Sequence, residues 1–566
     1  MRYYIRILRR FFSLGATSPI LLFHLIFSAC LREATFLSLP FIAAEIIDAA
    51  TDSNFTLALI ETGIFLVAAI IYVLCHHYNY WAYAKNSTYI HDELQRKILD
   101  KVITFDQDYT KNISSAEIIG TAFQDVTENQ RVPDYFFDFI TSFISMFINA
   151  FILFLVDPII GIIAITLAII AMAIFVLHMK KRDEYAYIQR SHQDSIASLY
   201  SQILDGKKEV HSFNMKADLK QYLDRYKELW RVAYGKNRIH QDVADVLVQS
   251  ILGVGRIAVY FITAGLILKG EYSIATLILA IGYWENIIDA YESATDTIYN
   301  LSKCAVAINR VHRLLNYKPP RIATFGANQN DNIKGKIRFD KVSFTYDRKP
   351  LMRDVSFSIE PHTLVGIVGK SGSGKSTIFR LLLRLYKPTR GKIILDNTNI
   401  NEFSREVYAS NVSIVTQKPF VFDMTIKENL SLVDPDIEHQ IEACKIAGIH
   451  KTIMNLEKGY NTELVSDGQN LSAGQKQLLS LARTLLSGSE VLLFDEVTSA
   501  LDSDTTKQII KILKELKKTH TVLVITHKPE VMRNLDELLV IDQGRLVGRG
   551  THNNLLHNKY YKLLQK

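Results

Sequence analysis

The sequence predicts a two-part fold: an α-helical membrane domain of six long transmembrane helices, followed by an α/β domain with a helical subdomain. Three observations support this fold class. Of the 566 residues, 48% are hydrophobic and 22% are charged, an apolar content that is high for a wholly water-soluble protein. The long apolar runs all lie in the N-terminal half. The C-terminal half instead alternates short strand-like and helix-like segments.

Six apolar stretches are long enough to cross a bilayer, for which a helix needs about 20 residues. They are residues 18–48, 55–82, 134–156, 158–179, 243–268 and 272–300. The connections after the second and fourth spans are long and rich in Lys and Arg, whereas the other connections are short. The positive-inside rule therefore places the long loops in the cytoplasm. Their helical periodicity indicates that the spans continue beyond the membrane.

The N-terminal segment MRYYIRILRR predicts a basic amphipathic helix lying at the membrane interface. Its arginines would contact lipid headgroups, and Tyr3, Ile7 and Phe11 would face the lipid. A signal-peptide start is the alternative, but the stretch before Cys30 lacks the aliphatic residue of a lipoprotein cleavage box. The four cysteines of the chain are far apart in sequence and predict neither a zinc site nor a disulfide framework.

The sixth span carries an acidic stripe, defined by four carboxylates whose spacing of four, three and four residues puts them on one helical face. These residues are Glu285, Asp289, Glu292 and Asp296. One hypothesis is that the acidic stripe attracts a cationic substrate, with Trp284 and Tyr291 nearby for stacking. The other is that it pairs with Arg32 or Arg256, or lies on a solvated extension of the helix.

Domain boundaries follow from a composition change near residue 316. Residues 316–333 are rich in Pro, Gly and Asn, have no apolar period, and therefore predict a linker. The membrane domain then covers residues 1–315, including the N-terminal helix, and the α/β domain covers residues 334–566. Strand patterns such as 342–346, 355–359, 491–494 and 521–525 support an α/β architecture.

A phosphate-binding loop follows the apolar strand 364–368 and matches the pattern GxxxxGK[ST]. Its residues are Gly369, Lys370, Ser371, Gly372, Ser373, Gly374, Lys375, Ser376 and Thr377. Backbone N–H groups of such a loop surround phosphates at a helix N-terminus. Lys375 would contact the β- and γ-phosphates of ATP, and the Ser376 hydroxyl would be a ligand of Mg²⁺.

A second motif is the apolar strand 491–494 followed by Asp495 and Glu496. Carboxylates at the end of a buried strand suit metal-assisted phosphoryl transfer, with Asp495 holding Mg²⁺ and Glu496 polarising the attacking water. On its own, a pair of acids at a strand end is common.

Upstream of that strand lies Leu471-Ser472-Ala473-Gly474-Gln475, and with it the chain resembles the ABC transporter family, whose signature is LSGGQ. The resemblance implies further matches in the family's order. These are Tyr346 as the adenine-stacking aromatic, Gln417 as the Q-loop glutamine, residues 499–502 with Asp502 as the D-loop, and His527 as the switch histidine. Each residue alone has an ordinary structural explanation, whereas the joint order favours the family.

The resemblance also implies how the chain would work. Two ATP-binding domains would enclose two nucleotides, with Ser472, Gly474 and Gln475 serving the partner chain's ATP. Ala473 departs from the family's usual Gly, and we expect it to be tolerated. The partner would be a second half-transporter, and a homodimer is favoured over a heterodimer. Catalysis would involve Glu496, His527, Lys375 and Gln417, and the metal ligands would be Ser376, Gln417 and Asp495.

These patterns together predict ATP-driven export of an amphipathic compound or peptide, cationic ones included, across a bacterial plasma membrane. Alternatives are an importer of metal–siderophore complexes, a lipid flippase and an ATP-gated sensor. The net charge of +7 is spread along the chain and predicts no nucleic-acid partner. In the arrangement that the family resemblance implies, the cytoplasmic segments 106–117 and 203–216 would be those that contact the ATPase domains.

Overall fold

The computed structural model describes residues 2–103, 105, 115–317, 325–346, 349–465, 468–498 and 503–564. Two compact units divide the chain between Lys318 and Pro319. The boundaries expected from sequence, at residues 315 and 334, lie on either side of this division. We describe the N-terminal unit as the membrane domain and the C-terminal unit as the cassette.

The membrane domain is helical throughout its described residues. Its helices are α1 (Arg2–Ser13), α2 (Pro19–Thr51), α3 (Phe55–Ile103), α4 (Ser115–Gly120), α5 (Val126–Asn129), α6 (Val132–Val156), α7 (Pro158–Asp205), α8 (Lys207–Ser212), α9 (Lys216–Leu268) and α10 (Ile274–Leu315). A π-helical turn, Thr121–Asp125, joins α4 to α5. The helices α2, α3, α6, α7, α9 and α10 contain the six predicted spans.

Five of these six helices are long and apolar enough to cross a membrane, among the residues that the structure describes. The exception is α10, because the acidic stripe makes its sequence less apolar. Helices α3, α7 and α9 contain 49, 48 and 53 residues. At 1.5 Å per residue each is about 70 to 80 Å long, more than twice the roughly 30 Å apolar core of a bilayer. The predicted fold class is confirmed, with long helical extensions beyond the spans.

Helix pairs in the membrane domain pack closely where a small residue meets a large one. The main pairs are α2 with α3, α6 with α10, and α7 with α9. A Cβ placed on Gly255 of α9 would lie 2.4 Å from the Trp284 ring of α10, and one on Gly282 of α10 would lie 2.8 Å from Pro40 of α2. These glycines therefore set how closely α10 approaches α9 and α2.

The N-terminal helix corrects one expectation. Ile7 and Phe11 are 2% and 1% exposed, and they pack with residues of α3 and α10 such as Ile90 and Val311. The prediction that they face lipid was therefore wrong. The amphipathic pattern was real, but its apolar face is buried against protein, while Arg6 and Arg9 are exposed.

The cassette contains two sheets. The first is antiparallel, with strand order β2 (Lys349–Ile359), β1 (Ile337–Tyr346), β4 (Arg390–Leu395), β5 (Thr398–Asn399). The second has the order β10 (Arg545–Gly550), β9 (Glu537–Asp542), β3 (Leu364–Val368), β8 (Thr521–Ile525), β7 (Val491–Asp495), β6 (Val412–Val415). From β9 to β6 the pairing is parallel, so these strands end at one edge.

The helices of the cassette complete the α/β core and a helical subdomain. They are α11 (Lys375–Leu382), α12 (Arg405–Asn411), α13 (Ile426–Ser431), α14 (Ile437–Ala447), α15 (His450–Met454), α16 (Ala473–Leu486), α17 (Ser503–Leu516), α18 (Pro529–Met532), α19 (His552–Leu555) and α20 (Lys559–Lys562), with 3₁₀ turns at Ile400–Glu402 and Gly459–Asn461. Helices α13 to α16 form the helical subdomain. Buried apolar side chains fill the space between the two sheets, including Phe339, Phe344 and Ile367.

Part of the expected linker contacts the cassette. The Gly326 N–H donates to the Phe403 carbonyl at 2.9 Å, and the Asn328 N–H donates to the Glu402 carbonyl at 3.0 Å. The Phe325 ring lies 3.7 Å from the Arg384 guanidinium, and Ile333 is 7% exposed. Within residues 316–333, the described stretch from 325 onward is therefore an edge of the cassette.

Candidate functional site

The phosphate-binding loop connects β3 to α11 at the edge where the parallel strands end. All five residues of β3 are buried, so the loop starts from a rigid strand. Gly372 and Gly374 have φ angles of 76° and 105°, a region that side chains with a Cβ rarely occupy. A Cβ on Gly369 would lie 2.2 Å from the Ile541 carbonyl oxygen. Glycine is therefore required at these three positions by the backbone itself.

Lys375 is held inside this loop. Its Nζ donates to the carbonyl oxygens of Gly369 at 2.8 Å and Lys370 at 2.9 Å. Burial lowers the pKa of Lys375, and the carboxylates of Glu496 and Asp495 oppose that effect. The ammonium group therefore lies where phosphate oxygens would replace the two carbonyl oxygens as acceptors.

The two carboxylates at the end of β7 have different surroundings. Burial raises the pKa of Asp495, the neighbouring Glu496 raises it further, and Arg380 and Lys375 lower it. Glu496 has a φ angle of 48°, in the left-handed region, and its N–H donates to the Ile525 carbonyl at the end of β8. A non-glycine residue in this region is strained, and the hydrogen bond to the end of β8 helps to hold it there.

Glu496 is the centre of a three-residue cluster. Gln417, from the loop after β6, donates its Nε2 to Glu496 Oε2 at 2.9 Å. His527, from the loop after β8, places its Nδ1 3.5 Å from Glu496 Oε1. Three neighbouring parallel strands therefore bring together residues that are 79 and 31 positions apart in sequence.

Oxygen ligands suitable for Mg²⁺ occur among the same residues. Asp495 supplies a carboxylate, and Ser376 supplies an exposed hydroxyl at the start of α11. Gln417 uses its Nε2 for Glu496, which leaves its amide oxygen available as a ligand. Hydroxyl, carboxylate and amide oxygens match the ligand preference of Mg²⁺, so these residues fit that ion.

The signature segment begins α16. Ser472 accepts a hydrogen bond from the Gln475 N–H at 3.2 Å, and Gln475 Oε1 accepts from the Ser472 N–H at 2.8 Å. This reciprocal capping fixes the first turn of the helix. Ser472 and Ala473 are exposed, so the Ala473 methyl is accommodated without displacing a neighbour within the cassette.

Two of the expected residues fall outside this description. Tyr346 is the last residue of β1, and its side chain lies outside the described part of the structure. Asp502 and the rest of its segment, residues 499–502, also lie outside the described residues. The sequence therefore remains the only basis for their expected roles. The segment 106–114, expected to contact an ATPase domain, lies outside as well.

Gln477 was not identified from the sequence. It is 5% exposed, and its Nε2 donates to the carbonyl oxygens of Gln417 at 2.8 Å and Thr416 at 3.4 Å. It therefore ties α16, which carries the signature, to the loop that carries Gln417. Nothing in the sequence distinguished it from Ser480 and Thr484, which are polar and buried on the same face of α16.

The acidic stripe in the membrane domain contains two kinds of carboxylate. Glu285 forms an ion pair with Arg256, with Nε 3.0 Å from Oε1, and Glu292 accepts a hydrogen bond from Gln249 at 3.1 Å. Asp289 and Asp296 are exposed and form no ion pair among the described residues. The pairing hypothesis therefore holds for Glu285 with Arg256, and not for the whole stripe.

Asp296 also lines a small cavity of about 20 Å³ between α7, α9 and α10. Asp245, His178 and His240 line the same cavity, and Arg182 is buried beside it. The volume suffices for about one water molecule. The cavity is thus too small for an organic cation.

Comparison with protein-family models matches both parts of the chain. Residues 22–290 match the ABC transporter transmembrane region, and residues 352–499 match the ABC transporter family. The structure is similar to that of a bacterial Atm1-family ABC exporter with ATP bound, with a TM-score of 0.84. The two chains are covered to 98% and 97%, at 22% identity.

Several curated proteins are similar in sequence. An ATP-dependent lipid A-core flippase of Pasteurella multocida is 32% identical over 73% of this chain and 70% of its own. A multidrug export ATP-binding/permease protein of Bacillus subtilis is 25% identical over 93% of each chain. An ABC transporter ATP-binding protein of Mycoplasma pneumoniae is 39% identical over 48% of this chain, and the match spans 43% of that relative's length.

Proposed function

The chain belongs to the ABC transporter family as an exporter-type half-transporter with ATPase activity, and from that premise we propose that a homodimer exports an amphipathic compound or peptide. Cationic compounds are included in the proposed range. The proposed location is a bacterial plasma membrane, with the cassette in the cytoplasm. The bacterial relatives and the basic long loops support this location.

One observation carries the catalytic part of the proposal: the Glu496 carboxylate is held by Gln417 and faces His527, beside the loop that contains Lys375. In this arrangement Glu496 accepts a proton from the attacking water as general base. Lys375 stabilises the charge on the phosphates, and His527 orients the γ-phosphate relative to Glu496. Tyr346 would stack on the adenine.

Mg²⁺ is the proposed metal cofactor, held by Ser376, Asp495 and Gln417. When bound with ATP, it would neutralise charge on the β- and γ-phosphates. The three residues would hold the ion in place beside the phosphate-binding loop. Ser376 lies in the first turn of α11 and Asp495 at the end of β7, and Gln417 would contact both the ion and Glu496.

The proposed partner is a second copy of this chain. Ser472 and Ala473 are exposed at the N-terminus of α16, where backbone N–H groups favour an anion. In the proposed dimer this end of α16, with Gly474, contacts the γ-phosphate of the ATP bound to the partner, and Asp502 belongs to the same interface. The presence of Glu496 and His527 in this chain supports two competent sites and hence a homodimer.

The exposed carboxylates of the acidic stripe support a cationic substrate, since Asp289 and Asp296 are not neutralised by ion pairs within the described chain. A second candidate function is lipid translocation, which the similarity to a lipid A-core flippase favours. An importer of metal–siderophore complexes would instead take up its substrate. An ATP-gated sensor would show no vectorial flux.

The test is ATP hydrolysis and transport by the purified chain. Nanodiscs containing this chain alone would be assayed with Mg²⁺-ATP against cationic peptides, amphipathic drugs, lipids and siderophores, with Glu496→Gln as the blank. Proteoliposomes with outward-facing cassettes would then show ATP-dependent accumulation of the stimulating compound for an exporter. Hydrolysis no higher than the blank would refute the homodimer, and stimulation only by lipids would favour the flippase.

A further inference from the structure

A buried pair of polar side chains in the membrane domain has no assigned role. Asn86 of α3 is 0% exposed, and among the described residues neither its Nδ2 nor its Oδ1 has a hydrogen-bond partner. The Oδ1 atom of Asp134, in the first turn of α6, is also buried and has no hydrogen-bond partner within the described part of the chain. The Asn86 amide faces the Asp134 carboxyl, although no atom pair has hydrogen-bonding geometry. Three buried polar atoms thus need partners at one place.

The charges around this pair are unbalanced. Arg32 of α2 lies 2.9 Å from Glu33 Oε1 and 3.7 Å from Asp138 Oδ1, and Tyr83 of α3 donates its hydroxyl to Asp138. Arg32 is therefore shared by two carboxylates before Asp134 is counted. The positive charge of Arg131 also attracts Asp134, but the Arg131 side chain is exposed to solvent. An ionised Asp134 would leave this partly buried group with excess negative charge, which is costly in a membrane domain.

Three states of the pair can be compared by the hydrogen bonds that they permit. A carboxylate accepts only, so it can satisfy Asn86 Nδ2 but leaves Asn86 Oδ1 without a donor. A bound metal cation would satisfy Asn86 Oδ1 and the carboxylate, but leaves the Nδ2 donors without an acceptor. A carboxylic acid can donate its O–H to Asn86 Oδ1 and accept from Nδ2, so it satisfies all three atoms.

We propose that Asp134 binds a proton and forms a cyclic acid–amide pair with Asn86, so that the membrane domain contains a proton-binding site. The protonated acid also removes one negative charge from the group around Arg32. Because α3 packs mainly with α2, and α6 packs mainly with α10, the two residues belong to different helix pairs. Separation of these pairs during a conformational change would expose Asp134, lower its proton affinity and release the proton.

The first test is infrared spectroscopy of the full-length protein in nanodiscs, comparing wild type with Asp134→Asn. Asn at position 134 can form an amide–amide pair with Asn86, so this variant keeps the packing. At neutral pH the difference spectrum should contain the carbonyl band of a buried protonated carboxylic acid. Asp138→Asn is the matched control, and its spectrum should retain that band. Absence of the band from the wild type at neutral pH, or its retention in Asp134→Asn, would refute the proposal.

A second variant tests the pairing itself. Asn86→Ala removes the acceptor of the acid proton, so the Asp134 band should titrate at lower pH than in the wild type. The protonated fraction of a group falls about tenfold for each pH unit above its pKa, so the shift can be measured as the change in band intensity at fixed pH. An unchanged titration in Asn86→Ala would contradict the acid–amide pair. We also expect the wild-type ATPase rate to decline at the alkaline pH where the proton is released, and Asp134→Asn to lack that decline.

Discussion

The nucleotide site and the acidic stripe differ in how their functional groups are held. In the nucleotide site, Lys375 is bonded to two loop carbonyls and Glu496 to Gln417, so their positions are fixed by the cassette itself. In the stripe, Glu285 is paired with Arg256, while Asp289 and Asp296 are exposed and form no ion pair with any residue that the structure describes. Fixed groups suit one reaction carried out in every cycle, whereas unpaired carboxylates on a helix suit recognition of varied cations.

The largest effect should come from Glu496→Gln. Removing the general base should lower the ATPase rate by about 10² to 10⁴-fold while ATP binding is retained, because the phosphate-binding loop is unchanged. Steady-state hydrolysis in nanodiscs and equilibrium binding of a fluorescent ATP analogue would measure the two quantities. Glu530→Gln, which removes an exposed charge from α18, is the control and should be neutral. Near-normal hydrolysis in Glu496→Gln would remove this residue as the base.

Gln477→Ala should have the next largest effect. Without the bonds from Gln477, the backbone at Thr416 and Gln417 loses two donated hydrogen bonds, and Glu496 loses part of its support. We expect kcat to fall by about tenfold, which corresponds to about 1.4 kcal/mol, with a smaller change in KM for ATP. The exposed Gln508→Ala is the control. A rise in KM with unchanged kcat would show that Gln477 acts on binding and does not position Gln417.

These two residues also show what the sequence can and cannot reveal. Glu496 was predictable because a strand followed by two acids is local, and because its order relative to the phosphate-binding loop and Gln417 matches a family. Gln477 was not predictable, since its role depends on the packing of α16 against the loop after β6. Pairing in space between distant segments leaves no local pattern.

The membrane domain shows the same distinction at the level of helices. Length and apolarity predicted six long helices, and five of them are apolar enough to cross a membrane among the residues that the structure describes. The N-terminal helix had the right amphipathic pattern, but periodicity cannot tell a lipid-facing surface from one that is buried against other helices, and Ile7 and Phe11 are buried. Likewise, Phe325 in a Pro- and Gly-rich stretch gave no sign that it would contact Arg384.

The acidic stripe supplies the third prediction. Asp289→Asn combined with Asp296→Asn should reduce the stimulation of ATPase by cationic compounds severalfold and leave the basal rate intact, because each aspartate attracts a nearby cation by about 1 kcal/mol or more at short range. Dose–response curves of ATPase would measure the half-maximal concentration. The control is Glu271→Gln, which removes one negative charge from the loop before α10, outside the stripe. It should leave cation stimulation unchanged.

Glu285→Gln sharpens the same comparison. It leaves Arg256 without its ion-pair partner, so we expect a lower thermal unfolding temperature and no specific loss of cation stimulation. Thermal unfolding in nanodiscs would be measured alongside ATPase. If Glu285→Gln weakened cation stimulation as much as the double variant, the division between paired and unpaired carboxylates would be wrong.

The smallest effect concerns pH and Mg²⁺ at the nucleotide site. Burial raises the pKa of Asp495, so this carboxyl retains its proton to a higher pH than an ordinary aspartate, and it becomes a better metal ligand as the pH rises. The ATPase rate should therefore decline on the acid side at a pH above the ordinary aspartate range. Because Mg²⁺ competes with the proton for Asp495, a higher Mg²⁺ concentration should move that decline to lower pH.

The shift should be the same in the wild type and in Asp289→Asn with Asp296→Asn, because the stripe takes no part in metal binding. If the acid decline of the ATPase rate did not respond to Mg²⁺, the decline would be due to a group other than Asp495, and the proposal that Asp495 is a metal ligand would be contradicted.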